Sequence, residues 1–302
     1  ASFLSVALDS VLAQEYKDWE VILVDDASTD HFESVIGNYT SDTRIRIFKN
    51  SANMGCGFTK RRCAELASGE LMGFLDPDDA LHPKALEMMI QAYQDNPHCS
   101  LIHSTHYVCD AALDVKRIAG YVKALPAGVP YLLLGDGSIH LFATFPKKAY
   151  DQTEGIEASN KKAVDKDLYY KLEEAGDILF VDKPLYYYRI HSGSISNLGQ
   201  EASATLIHFD VATKACLRRI KDLKKNFFPG KAVLVRQYRT RYYKLSILQS
   251  FKTRNWLRFM QCVLIYPFVG GMNNLISYAK KLPAEGTSLL RKSFIEHYEI
   301  KI

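Results

Sequence analysis

The chain has 302 residues, of which 47% are hydrophobic and 24% charged, with a formal net charge of +4. That composition excludes a disordered or fibrous chain, and so small a charge gives no ground for a nucleic-acid partner. Six cysteines without a CxxC pair, and no uninterrupted apolar span of membrane length, fit reduced thiols in the cytoplasm better than a disulfide framework, a zinc site or a spanning helix.

The helical spacing of Phe3, Val6, Ala7, Ser10, Val11 and Gln14 predicts an amphipathic helix over 2–15. Trp19 to Val24 is a β-rich apolar run that ends in Asp25-Asp26-Ala27-Ser28-Thr29-Asp30, where Ser28, Thr29 or Asp30 can cap a following helix. Arg44 to Phe48 alternates as a strand does. Asn53-Met54-Gly55-Cys56-Gly57 is a glycine-bearing turn, and Phe58 to Ala67 reads as a helix with Lys60, Arg61 and Arg62 in its first turns. Leu71 to Leu75 has the length of a buried strand and runs straight into Asp76-Pro77-Asp78-Asp79. A helix follows from His82 to Gln94. Strands alternating with helices predict an α/β sheet with right-handed crossovers.

Beyond Cys99 the pattern loosens. Ser100 to His106 and Ile139 to Phe145 read as strands, with His103 and His106 as ordinary strand residues. Val164 to Ala175 reads as a helix opened by Asp165-Lys166-Asp167, and Ile178–Val181 and Leu185–Ile190 as two short strands. From Glu201 onward only helices rich in Arg, Lys and aromatics are expected, which gives a domain over 1–199 and a helical region over 200–302. Residues 256–269 are apolar but interrupted by Arg258 and Pro267. They are a candidate for peripheral membrane contact, at the inner face of the cell membrane, or for packing on the first domain.

Carboxylates crowded at strand ends repel one another unless a cation or donor compensates them. A hard divalent cation prefers such oxygen ligands, and strand ends are where open α/β sheets bind ligands. Two sets of acids with a basic cluster suit a nucleotide diphosphate held by a metal, with phosphate met by basic residues or helix N-termini. Each cluster also has an ordinary reading as a turn, a cap or a solvated helix face.

Four segments in order resemble family 2 glycosyltransferases, which have the GT-A fold. They are Val21-Ile22-Leu23-Val24-Asp25-Asp26-Ala27-Ser28-Thr29-Asp30, the stretch from Asn53 through Lys60-Arg61-Arg62 to Asp76-Pro77-Asp78-Asp79, Asp165-Lys166-Asp167-Leu168, and Tyr188-Arg189-Ile190-His191-Ser192-Gly193-Ser194-Ile195-Ser196. The resemblance spans about residues 2–197. It implies a GT-A mixed sheet flanked by helices and a DxD motif at Asp76, Asp78 and Asp79. Asp25, Asp26, Arg61, Asp76 and Asp78 would bind the nucleotide sugar, expected to be a UDP-sugar. Asp78, Asp79 and His191 would hold Mn²⁺ or Mg²⁺, and Asp165 would be the general base.

The implied reaction is inverting sugar transfer to a saccharide or lipid-linked acceptor in bacterial cell-surface polysaccharide synthesis. Acceptor contacts are expected from about residues 138–160, including Phe142, Lys147, Lys148 and the Glu154-Gly155 loop. The family's domain opens with a strand upstream of the first helix. The chain is therefore expected to be truncated, lacking that strand. Two other functions compete. One is a phosphotransferase with Asp76 as nucleophile, although Ala80 stands where its motif expects Thr or Val. The other is a non-catalytic nucleotide-sugar binding module.

Overall fold

The computed structural model describes residues 2–135, 137–192, 201–225 and 231–271. The end of the His191 stretch, Gly193 to Ser196, and the expected boundary at 199/200 lie outside the described residues. The elements in order are α1 (Leu4–Leu12), β1 (Val21–Asp25), α2 (Phe32–Ile36), β2 (Ile45–Lys49), α3 (Cys56–Leu66), β3 (Leu71–Gly73), β4 (Ala80–Leu81), α4 (Ala85–Asp95), β5 (Cys99–Cys109), β6 (Val115–Ile118), α5 (Tyr131–Leu134), β7 (Ala143–Pro146), α6 (Lys147–Tyr150), α7 (Val164–Ala175) and β8 (Asp177–Arg189). Three helices follow: α8 (Glu201–Lys225), α9 (Lys231–Lys252) and α10 (Trp256–Gly270).

β1 and β2 form a parallel pair of their own, in register from Val21 with Ile45 to Asp25 with Lys49. The larger sheet has the order β3-β7-β5-β8-β4, with β6 also paired to β5. It is mixed: β3, β5 and β8 run one way, and β7, β4 and β6 run against them. The segments leaving β3 and β8, which carry Asp76 and His191, therefore emerge at the same edge of the sheet.

The two strands expected over 178–190 are one. Asp182-Lys183-Pro184 breaks the apolar pattern, yet β8 runs through it with register shifts against β5 on either side of Thr105. A shift of this kind absorbs a residue that cannot donate to the ladder.

Apolar faces close around these strands. Val11, Leu81, Ala85, Met89, Tyr93, Ile102, Phe142, Leu185 and Tyr186 form one buried cluster, and Leu4, Leu8, Phe32, Ile36, Tyr39 and Ile45 another. Polar straps fix the layers. The Tyr93 hydroxyl donates to Thr144 O at 2.6 Å and accepts from Ile102 N at 2.9 Å, tying α4 to β7 and β5. Buried Gln14 donates to Ser10 O and His82 O, both at 2.9 Å, and accepts from Leu86 N, so α1 is fastened to the start of α4.

The chain divides into two compact units, Ala1–Glu201 and Ala202–Ile302. In the second, Ile247, Phe259, Cys262, Val263 and Tyr266 form the core between α9 and α10, and Asn255 Oδ1 caps α10 by accepting from Arg258 N. No helix among the described residues is long and apolar enough to cross a membrane. All six cysteines are free.

Candidate active site

β1 ends at two carboxylates that are already engaged. Asp25 is buried; its Oδ1 accepts from Ser28 N at 2.8 Å and its Oδ2 lies 3.4 Å from Lys49 Nζ. Asp26 accepts from Asn50 Nδ2 at 2.7 Å and from the backbone N–H groups of Met54 and Gly55 at 2.8 Å each. Burial alone would raise both pKa values, but the donors around each outweigh it and hold them low. Asp26 thus shapes the turn before α3. Gly55 stands there at φ +88°, a conformation that glycine adopts freely.

α3 carries the basic cluster, and its three members point different ways. Arg61 Nε meets Glu65 at 2.8 Å and its Nη1 donates to Ile156 O, while Arg62 donates to Lys49 O and Asn50 Oδ1. Lys60 Nζ instead lies 3.1 Å from Asp76 Oδ1 and 2.8 Å from Asp165 Oδ1, over the Phe74 ring. Of the three, Lys60 is the one that meets these acids, whereas Arg61, the expected nucleotide contact, turns to Glu65 and Ile156 O. Neighbouring helix residues diverge by about 100°, so one position changes the face.

Asp165 sits in the first turn of α7, where a carboxylate is favoured. Its neighbour Asp167 is buried on Lys171 at 2.7 Å, and Lys171 also donates to Gly155 O. Asp165 alone of this pair reaches the cluster. Burial opposes ionisation of Asp165, but Lys60 outweighs it and holds the carboxyl below its ordinary range. Burial likewise opposes a charge on Lys60, and Asp165 and Asp76 hold its pKa well above the usual value.

The segment leading into α7 packs on α3 where residue 57 is glycine. Gly57 N donates to Asn160 O at 3.0 Å, and a Cβ at this position would collide with the carbonyls of Asn160 and Glu157. Two alanines beside the acids, Ala27 and Ala163, hold φ values of +59° and +56°. Such strained residues gather at functional sites.

The Asp76–Asp79 turn splits its carboxylates between outside and inside. Asp78 Oδ2 lies 3.0 Å from His191 Nε2. Asp79, expected to contact metal, points inward at 1% exposure: Oδ1 accepts from Arg189 N at 2.7 Å and Oδ2 from the Tyr186 hydroxyl at 2.8 Å. Burial pushes its pKa up to about 8 despite those bonds. Arg189 locks the turn further through Asp78 O and Ala111 O. Among the described residues no three His, Cys, Asp or Glu side chains gather to hold a metal ion.

Residues 1–147 match the Glycosyl transferase family 2 model. O-antigen biosynthesis protein RfbC from Myxococcus xanthus is 31% identical over 269 residues, 84% of this chain but 20% of that protein. Chondroitin synthase from Escherichia coli is 27% identical over 230 residues, 76% of this chain and 33% of that protein. The chain thus spans a fifth to a third of the length of these relatives. The crystal structure of S. aureus TarS 1–349 superposes with a TM-score of 0.60 at 16% identity, covering 98% of this chain and 85% of that one. Its complex with UDP gives 0.54 at 16% identity, covering 94% and 89%. The mannosyltransferase PcManGT from Pyrobaculum calidifontis, in complex with GDP-Man and Mn²⁺, gives 0.54 at 12% identity, covering 97% and 75%. The fold is that of the GT-A glycosyltransferases, and residues 1–147 match glycosyl transferase family 2.

Proposed function

We propose that the chain transfers a sugar from a nucleotide-diphosphate donor to a hydroxyl of a saccharide or lipid-linked acceptor, with inversion, in cell-surface polysaccharide synthesis. The observation that carries this reading is the sharing of Lys60 between Asp76 and Asp165, on the rim that also carries Asp78 and His191. The family match and the relatives named for O-antigen and chondroitin synthesis support the reaction class. UDP and GDP-Man in the similar structures support a nucleotide-diphosphate donor, and a UDP-sugar is the donor we favour.

Asp165 is the general base. Its carboxylate is ionised, 40% exposed at the side chain, and paired with a lysine that a diphosphate can draw away. A single base facing the leaving group predicts inversion at the anomeric carbon. Lys60 then meets the phosphate charge in company with Asp76. The Asp25 and Asp26 loop lines the nucleoside side through the 50–55 turn it holds.

Asp78 and His191 fit a divalent cation such as Mn²⁺ or Mg²⁺. Two ligands at about 2.1 Å on adjacent coordination positions stand about 3 Å apart, and one carboxylate oxygen with one imidazole nitrogen suits Mn²⁺. When bound, the cation would neutralise the departing diphosphate, whose oxygens would complete its coordination.

Asp76 as a phosphoryl-accepting nucleophile is disfavoured by its ion pair with Lys60 and by the family match. In the second unit, Leu257, Leu264, Ile265 and Phe268 are exposed on α10 with Arg254 and Arg258 nearby, which supports peripheral contact with an anionic membrane on the cytoplasmic side. Flotation with anionic vesicles tests that contact, and failure to float rejects it. For the reaction, a panel of nucleotide sugars with Mn²⁺ and mixed saccharide acceptors is the test. Product of inverted anomeric configuration supports the reading, whereas release of inorganic phosphate alone, or binding without turnover, overturns it.

A further inference from the structure

Four rings gather in a cluster that has no part in the chemistry above. His106 and His140 lie 5.0 Å apart at 36°, and Tyr121 and Tyr188 meet both edge-on, at centroid distances from 5.5 to 5.8 Å. Each belongs to a different element: His106 to β5, Tyr188 to β8, Tyr121 to the segment after β6, and His140 to the loop before β7.

Three of the four are fixed or engaged. His106 Nδ1 lies 3.0 Å from Leu141 O, an acceptor, so Nδ1 carries the proton and Nε2 accepts from the Tyr121 hydroxyl at 3.2 Å. Tyr121 also packs on Gly137, where a Cβ would press on its ring at 3.2 Å. Tyr188 is continuous with the strand that leads to His191. His140 differs: its Nδ1 is buried and has no hydrogen-bond partner among the described residues. A buried polar atom without a partner is costly unless a ligand supplies one.

His140 also shares the neighbourhood of the reacting groups. Burial lowers its pKa, and the charges of Asp165, Asp76 and Lys60 all act on the ring. A neutral imidazole both donates and accepts, as a sugar hydroxyl does. α7, which carries Asp165, is anchored to the same loop region: Glu173 accepts from Leu132 N at 3.3 Å and Lys166 donates to Gly135 O at 3.3 Å.

We propose that His140, set in the His106–Tyr121–Tyr188 cluster, binds a hydroxyl of a substrate pyranose and holds that ring beside Asp165, with the partly exposed Tyr121 as an apolar wall for its C–H face. This rests on the sugar-transfer reading and adds a saccharide-binding residue to it. His106 is then a positioning residue that fixes Tyr121.

The test is His140→Phe, which keeps a ring of similar size and removes both nitrogens. With the fold intact, we expect the KM for the saccharide acceptor to rise at least tenfold while UDP affinity stays within twofold. A rise confined to the KM of the nucleotide sugar supports the same residue acting on the donor's pyranose. No change in either KM overturns the proposal. Should the Phe variant not fold, Tyr121→Ala at a partly exposed position is read by the same criteria. Saturation-transfer NMR with methyl glycosides separates this inference from the reaction. Signal present with the native chain and lost with His140→Phe upholds the sugar contact even if no nucleotide sugar is turned over, and equal signal in both rejects it.

Discussion

The carboxylates of this site fall into two groups that differ in what holds them. Asp25, Asp26 and Asp79 each accept from backbone N–H groups: Ser28, Met54 and Gly55, and Arg189 respectively. Asp76, Asp78 and Asp165 are met by side-chain cations or an imidazole, at Lys60 and His191. A backbone donor cannot leave without moving the chain, whereas a lysine can re-partner when a more highly charged anion arrives. The first group fixes the backbone around the site, and we propose that the second does the chemistry.

The largest test of that division is at the metal pair. Asp78→Asn or His191→Ala should weaken Mn²⁺-supported UDP binding by at least tenfold, read by calorimetry with and without the metal, and leave the melting temperature nearly unchanged. Metal-independent binding of equal strength in both variants would remove the pair from the site.

On the structural side the expected loss is of stability. Asp26→Asn replaces an acceptor with an amide that cannot satisfy all three of its donors, and should cost about 1–3 kcal/mol. For a unit of this size that is a fall of roughly 2–10 °C in a thermal melt. A native melt with lost donor binding would move Asp26 into the other group. Gly57→Ala forces a methyl against the Asn160 and Glu157 carbonyls and should cost about 1–3 kcal/mol, the usual range for overpacking. It should also lower transfer, because it displaces the 157–160 segment that leads into α7 and Asp165.

The smallest effect concerns pH. Burial pushes the His103 and His106 imidazoles down to about 4. Each stays neutral in the folded chain between about pH 6.5 and 4, while the unfolded chain takes up the proton. Their contribution to stability is therefore full above pH 6.5 and is lost as pH falls toward 4. Neither ring nitrogen of His103 has a hydrogen-bond partner among the described residues, so His103→Phe should flatten that acid limb in melts across pH 4–7. An unchanged slope would deny that His103 is neutral inside.

Much of this was legible because acids at the ends of apolar runs mark strand termini whatever the rest of the sheet does. Asp25 and Asp76 needed only that grammar, and Asp165 needed only its place at the opening of a helical pattern. The phase of α3 was not legible: Lys60, Arg61 and Arg62 are equally basic, and packing of Gly57 on the 157–160 carbonyls decides which of them faces the acids. Asp78 and Asp79 look alike in sequence, yet Tyr186 and Arg189, more than a hundred residues on, turn the second inward. β4 and β6, and helices α5 and α6, have two to four residues each and are too short for any periodicity to show. His106 and His140 meet Tyr121 and Tyr188 only through the order of strands.

The central claim is that Asp165 is an exchangeable acid with a chemical role rather than a cap on α7. The most direct measurement is Asp165→Asn, assayed for sugar transfer, UDP affinity and melting temperature on the same preparation. The account predicts transfer down by about 10²–10⁴, the usual contribution of a general base, with affinity and melt close to native. Transfer within a few-fold of native, or a lost fold in place of lost chemistry, would contradict it.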